Sequence, residues 1–168
     1  MNVAIIMGSD SDWSIMKSAV QILDKFQIDF EITVASAHRT PEKVRNFVES
    51  AQNAGAKIFI AAAGCAAHLA GVVASYTTRP VIGVPISSEP LKGFDALLST
   101  VQMPGGIPVA TMAVNGAKNA ALFAAEILAI NDEILSQRLA DYRTNMKAEI
   151  DDKDSKIKKA AADCNFKI

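Results

Sequence analysis

A histidine and an arginine stand side by side in the stretch VASAHRTPEK, Val34 to Lys43, immediately ahead of a helix start. Thr40 suits the N-cap and Pro41 the first helical position, so the helix begins near residue 41. The positive end of its dipole opposes His38 and Arg39, and the neighbouring sequence offers only Glu42 as a compensating anion. An anionic ligand would serve. Arginine grips phosphate with two parallel N–H bonds, and histidine ordinarily changes charge near neutral pH, so the pair suits proton transfer on a phosphorylated compound. A solvated surface pair is the simpler alternative, weakened if this loop lies beside other ligand-binding residues.

Two further stretches carry such residues. In MGSDSDW, Met7 to Trp13, Gly8 permits a tight turn, and Ser9 and Ser11 offer hydroxyls beside backbone N–H groups at a helix start, a common phosphate arrangement. Asp10 and Asp12 repel phosphate but accept hydrogen bonds from sugar hydroxyls, so a ribose phosphate satisfies both groups. Ser11 or Asp12 could equally cap the helix. In AAAGCAAHLAG, Ala61 to Gly71, almost no side-chain bulk separates a ligand from the backbone. The simpler reading is tight strand-helix packing, with His68 a satisfied buried histidine, and for His68 that reading is preferred. Walker, GxGxxG, HExxH and CxxC signatures are not found, which argues against NTP hydrolysis, dinucleotide chemistry, zinc proteolysis and thioredoxin-like redox work.

The elements that must hold these loops follow from hydrophobic patterning. Short β-branched runs begin at residues 2, 30, 57, 80 and 108 (NVAII, FEITV, KIFIA, PVIGV and PVATMAV), separated by helical patterns over 12–25, 41–53, 67–77, 94–102 and 117–130. Such alternation predicts an α/β three-layer sandwich with a five-stranded parallel sheet in the flavodoxin-like order 2-1-3-4-5. The loops leaving strands 1, 2 and 3 would then be neighbours at the carboxyl edge. Residues 1–131 are read as this body, and 132–168 as a projecting C-terminal helical extension with a narrow apolar stripe at Leu135, Leu139, Tyr142, Met146 and Ile150. The stripe is suited to docking on a neighbouring subunit or folding back on its own domain, and the charge-rich stretch from Asp151 is expected to fray.

The 168 residues suit a single globular body, half of them hydrophobic, and 17 Lys and Arg against 18 Asp and Glu give a net charge of -1. No bulk field attracts nucleic acid or an anionic membrane, so any anion is bound locally. The opening MNVAIIMGS lacks the basic region and cleavage site of a signal peptide, and the apolar run 58–74, rich in Ala and Gly and containing His68, falls short of a membrane span. Cys65 and Cys164 are too few and too far apart for a disulfide framework or zinc site, which fits a reducing compartment. A cytoplasmic protein is expected.

MGSDSDW, SAHRTPEK, AAHLAG and VQMPGGIPVATMAV, in this order, resemble the N5-carboxyaminoimidazole ribonucleotide mutases of purine biosynthesis, also called phosphoribosylaminoimidazole carboxylase catalytic subunits. The resemblance spans residues 2 to about 145. It implies a homo-octamer that moves a carboxylate from N5 of the aminoimidazole ribonucleotide to C4 without metal, ATP or organic cofactor, functionally coupled to an ATP-dependent synthetase of its substrate. His38 corresponds to the family's general acid-base residue, Ser9, Asp12 and Arg39 to substrate contacts, and Ser11 and Ser36 lie near the ribose phosphate. The third loop, with Gly64, Cys65, Ala66, His68 and Leu69, matches one that contacts substrate. It departs from the usual GGAAHLPG at Cys65 and Ala70. If the replaced glycine needs positive φ, Cys65 is strained. Rival readings are direct carboxylation of the aminoimidazole ribonucleotide by carbon dioxide and a non-catalytic flavodoxin-like module for FMN or a nucleotide.

Overall fold

The computed structural model describes residues 1–164. They divide into two compact units, Met1–Ile127 and the segment from Leu128 on. In the first, β1 (Val3–Met7), β2 (Phe30–Val34), β3 (Ile58–Gly64), β4 (Val81–Ile86) and β5 (Ala110–Thr111) form one parallel sheet in the order β2-β1-β3-β4-β5. Every residue of β1 and β4 is buried, as is β3 through Ala62, which is why these strands read as unbroken apolar runs rather than alternating ones. Edge strand β2 is more open, with Glu31 and Val34 exposed.

The connecting helices α1 (Trp13–Lys25), α2 (Pro41–Asn53), α3 (Leu69–Tyr76), α4 (Phe94–Val101) and α5 (Ala117–Ala129) fall where the patterning predicts, within two residues at each end. Buried stripes hold them: Met16, Ala19, Ile22 and Leu23 on α1, and Val44, Val48 and Ala51 on α2. Helices α2 and α3 share one core cluster with Ala4, Ile6, Phe59 and Ala61 of the sheet. Helix α4 lies close on β4: a Cβ on Gly83 would come within 2.4 Å of Thr100 Cγ2.

Two expectations about the elements are corrected. The run PVATMAV yields only two strand residues, Ala110 and Thr111, paired to Ile82 and Gly83. Pro108 has no N–H to donate to a ladder, and beyond Thr111 the chain keeps only separate bonds to β4, Met112 N to Gly83 O and Asn115 N to Pro85 O. At the other end, the stretch from Asp151 is helical as far as Asp163, where α6, unbroken from Glu133, ends; the rest of the segment expected to fray, 165–168, lies outside the described residues. Asp152 pairs with Lys156 at 2.6 Å and Asp154 with Lys158 at 2.7 Å, the spacing that supports an exposed helix. Leu135 and Leu139 are buried, Ile134, Met146, Ile150 and Ile157 exposed. No helix among the described residues is long and apolar enough to cross a membrane.

Candidate active site

The strand order reverses direction at β1, and there the carboxyl-edge loops converge. Backbone bonds run past the strand ends, Gly8 N to Ala62 O and Ala35 N to Met7 O, both 2.9 Å, so the first three loops leave side by side. They enclose a cavity of about 520 Å³, a size suited to a nucleotide-sized ligand. Ser9, Ser11, Asp12, Ser36, His38, Arg39, Gly64, Cys65, Ala66, His68 and Leu69 all line it.

The first loop is built differently from the reading of free N–H groups. Asp10–Asp12 is a 3-10 turn with Ser9 as its N-cap. Ser9 N donates to Asp12 Oδ2 (3.1 Å), Ser11 N to Asp10 Oδ1 (3.0 Å), and Asp12 N to Ser9 O (3.3 Å). The loop's own acidic residues and carbonyls take the N–H groups of Ser9, Ser11 and Asp12, and two hydroxyls, Ser9 and Ser11 Oγ 2.8 Å apart, line the cavity. Asp12 occupies the N-cap position of α1 but makes no capping bond there. Its burial pushes the carboxyl above its ordinary value, against the lowering effect of hydrogen bonds from the Ser9 backbone, the Ser11 side chain and the Gly8 backbone. Gly8 is not in the left-handed region, and a Cβ there would make only ordinary contacts of 3.5 Å or more, so its turn does not require glycine.

In the second loop Thr40 stands at the N-cap position of α2, with Pro41 in the first turn, but its hydroxyl does not cap. It closes the 36–40 turn instead, accepting from Ser36 N at 2.9 Å. Arg39 N donates to Ser36 Oγ (3.2 Å), and its guanidinium crosses to the first loop, Nη2 donating to Gly8 O at 3.3 Å. The two loops most suited to a phosphorylated sugar are thereby tied together.

The third loop corrects the reading of His68. It is not a buried core histidine: it is exposed at the N-cap position of α3, and its Nδ1 lies 2.7 Å from His38 Nε2. Cys65 is in the left-handed conformation, φ +52°, the strained case for a residue with a Cβ. Ser88 holds it, its Oγ accepting from Cys65 N and lying against Sγ, both at 3.3 Å. Gly64 just before it is tightly placed, since a Cβ would stand 3.2 Å from Ile86 O and require that carbonyl to give by a few tenths of an ångström. Ala70 sits in the first turn of α3, where the N–H that a proline lacks has no acceptor within the helix, so alanine in its place changes no helical bond.

Sequence reasoning missed the far wall. Ser87 and Ser88 after β4 and Asn115 after β5 also line the cavity, Asn115 with φ +60° and its Oδ1 accepting from Ser87 N at 2.9 Å. Among the described residues no three His, Cys, Asp or Glu side chains are grouped as a metal site.

Five parallel strands in this order, with a cavity of hydroxyls, an arginine and two histidines at their carboxyl ends, define a flavodoxin-like α/β protein of the kind that takes a small polar ligand at the topological switch point. Residues 2–149 match the family described as AIR carboxylase, and the chain belongs to that family. A Thermotoga maritima protein named N5-carboxyaminoimidazole ribonucleotide mutase is 50% identical over 155 residues, 92% of this chain and 91% of its own. A Methanocaldococcus jannaschii protein of the same name is 54% identical over 156 residues, 93% and 97% of the two chains. The crystal structure of Treponema denticola PurE superposes with a TM-score of 0.85 at 32% identity, covering 93% of this chain and 98% of that one.

Proposed function

We propose that this protein is an N5-carboxyaminoimidazole ribonucleotide mutase of purine biosynthesis, with His38 as its general acid and base. The observation that carries the reading is the cavity's division of labour. Arg39 with the hydroxyls of Ser9, Ser11 and Ser36 suits a phosphate, Asp12 suits a ribose hydroxyl, and His38 with His68 shares the cavity with Gly64, Cys65 and Ala66, which add little bulk. The anion that His38 and Arg39 await ahead of α2 is then the substrate.

One imidazole suffices for the proton traffic. Protonated His38 gives its proton to the carbamate nitrogen, the N5–carboxylate bond breaks with its electron pair left on nitrogen, and neutral carbon dioxide is released. The aminoimidazole C4 is enamine-like and attacks that carbon dioxide. Neutral His38 takes the C4 proton, which restores aromaticity and reloads the acid, so no proton is gained or lost overall. Holding carbon dioxide for the second step asks for a close-walled, dry pocket, which the small residues of the third loop and Leu69 support. No step draws on a metal, ATP or an organic cofactor.

The same reading carries a cytoplasmic homo-octamer, with functional coupling to the ATP-dependent synthetase that makes the carbamate. Residues 1–131 would form the catalytic body and 132–168 a helical extension on neighbouring subunits, a role supported by the exposed Met146, Ile150 and Ile157 of α6. The family description AIR carboxylase gives weight to a second reading, direct carboxylation by carbon dioxide. An ultraviolet assay on chelator-treated protein separates them. The mutase converts the N5-carbamate without added bicarbonate, whereas a requirement for aminoimidazole ribonucleotide plus bicarbonate would overturn it. A flavodoxin-like module that merely binds FMN or a nucleotide would leave His38 without a task.

A further inference from the structure

His38 and His68 come from different loops, thirty positions apart, and meet with ring centroids 4.9 Å apart, planes at 80° and Nε2 to Nδ1 at 2.7 Å. At that distance one hydrogen lies between the two nitrogens, so one ring donates and the other must present a bare nitrogen. The pair cannot keep this contact with both rings charged. On the mutase reading His38 is the ring that carries the working proton, so His68 is the one that presents the bare nitrogen. The other ionisable groups on the cavity wall are Asp12, Arg39 and Cys65. Asp12 accepts from Ser9, Arg39 donates to Gly8, and the Cys65 thiol lies against Ser88.

We infer that His68 is a positioning residue for the working proton of His38: in the ligand-free site its bare Nδ1 accepts the Nε2–H of His38, keeping the acid loaded and aimed into the cavity. The inference rests on the mutase reading and deepens it. When the substrate enters, its carbamate nitrogen replaces His68 Nδ1 as the acceptor of that hydrogen. After the C4 proton has returned to Nε2 and product has left, the contact with His68 re-forms. His68 itself neither gains nor loses a proton across the cycle.

These two are the chain's only histidines, so their ring signals need no further assignment. Proton spectra of the ligand-free, full-length protein at low temperature should contain one low-field imidazole N–H resonance. His68→Ala and His38→Asn should each abolish it, and His68→Asn, whose amide oxygen can accept at a similar position, should restore it. In the assay, His68→Ala should lower kcat/KM by about 10-fold, the scale of a charge-assisted hydrogen bond, through kcat rather than KM. His68→Asn should recover most of that loss. A resonance that survives His68→Ala, or a kcat/KM loss that falls on KM alone, overturns the inference. An active enzyme without the resonance refutes the role of His68 alone, whereas the resonance in a protein that cannot isomerise the carbamate refutes the proposed function.

Discussion

Replacing Cys65 by glycine should make the protein more stable, although it deletes a side chain and its thiol contact with Ser88. With φ at +52°, the Cβ of Cys65 crowds its own backbone at a cost of about 1–2 kcal/mol that glycine does not bear. Against this stand the extra freedom glycine gives the unfolded chain, about 0.5–1 kcal/mol, and the loss of the weak thiol contact with Ser88. At the middle of these ranges the balance is a gain of about 0.5 kcal/mol, or roughly 1–2 °C in Tm for a chain of this size. Cys65→Ala separates the contributions, since it keeps the Cβ and the strain while removing sulfur. Denaturant midpoints of wild type, alanine and glycine variants at one fixed protein concentration give both steps, with m-values checking that the unfolded state has not changed. The alanine-to-glycine step must be stabilising. A glycine variant less stable than the alanine one would refute the reasoning.

Asp12→Asn should raise Tm at neutral pH. Burial lifts the folded-state carboxyl above its ordinary value, so the folded protein binds a proton more readily than the unfolded chain, and stability is lost as pH rises through that window. The amide avoids this loss, so its advantage should vanish below the ordinary carboxylate range; an advantage that persists in acid would contradict the assigned cause. Arg39→Ala should raise KM by about 10-fold or more with a smaller effect on kcat, because it removes a charge-assisted phosphate contact rather than the proton carrier; initial-rate kinetics decide. Charged residues at Met146 and Ile150, both exposed on α6, should lower the mass measured by light scattering, and an unchanged assembly would count against subunit docking through this stripe.

What could be read in the sequence follows from what buries a residue. Strands covered on both faces announce themselves as unbroken apolar runs, and α1 and α2 as stripes, so the sheet order and five helices were legible without any structure. β5 was over-read because hydrophobicity in PVATMAV reports burial but not the ladder that Pro108 cannot join. In the cavity, Ser9, His38 and Arg39 were legible because polar residues at strand ends have no packing role to explain them. From the residues alone His68 was not, since alanine-rich flanks look alike around a core helix and around a ligand pocket, and only the family resemblance put it in a substrate-contacting loop. Ser87, Ser88 and Asn115 carried no motif, but the rule that ligands gather at the carboxyl ends of parallel strands pointed to the loops after β4 and β5 as well. The left-handed backbone of Cys65 was visible only as a question raised by a glycine the resembling family has and this chain lacks.

The most direct test of the account is single-turnover conversion of the N5-carbamate by His38→Asn, which keeps a polar side chain of similar size but cannot carry the proton. Binding should persist through Ser9, Asp12 and Arg39, and the rate should fall by about 100-fold or more, the scale of a lost general acid-base, with decomposition of the carbamate and deprotonation at C4 impaired together. Conversion at the wild-type rate would contradict the claim that one histidine moves both protons.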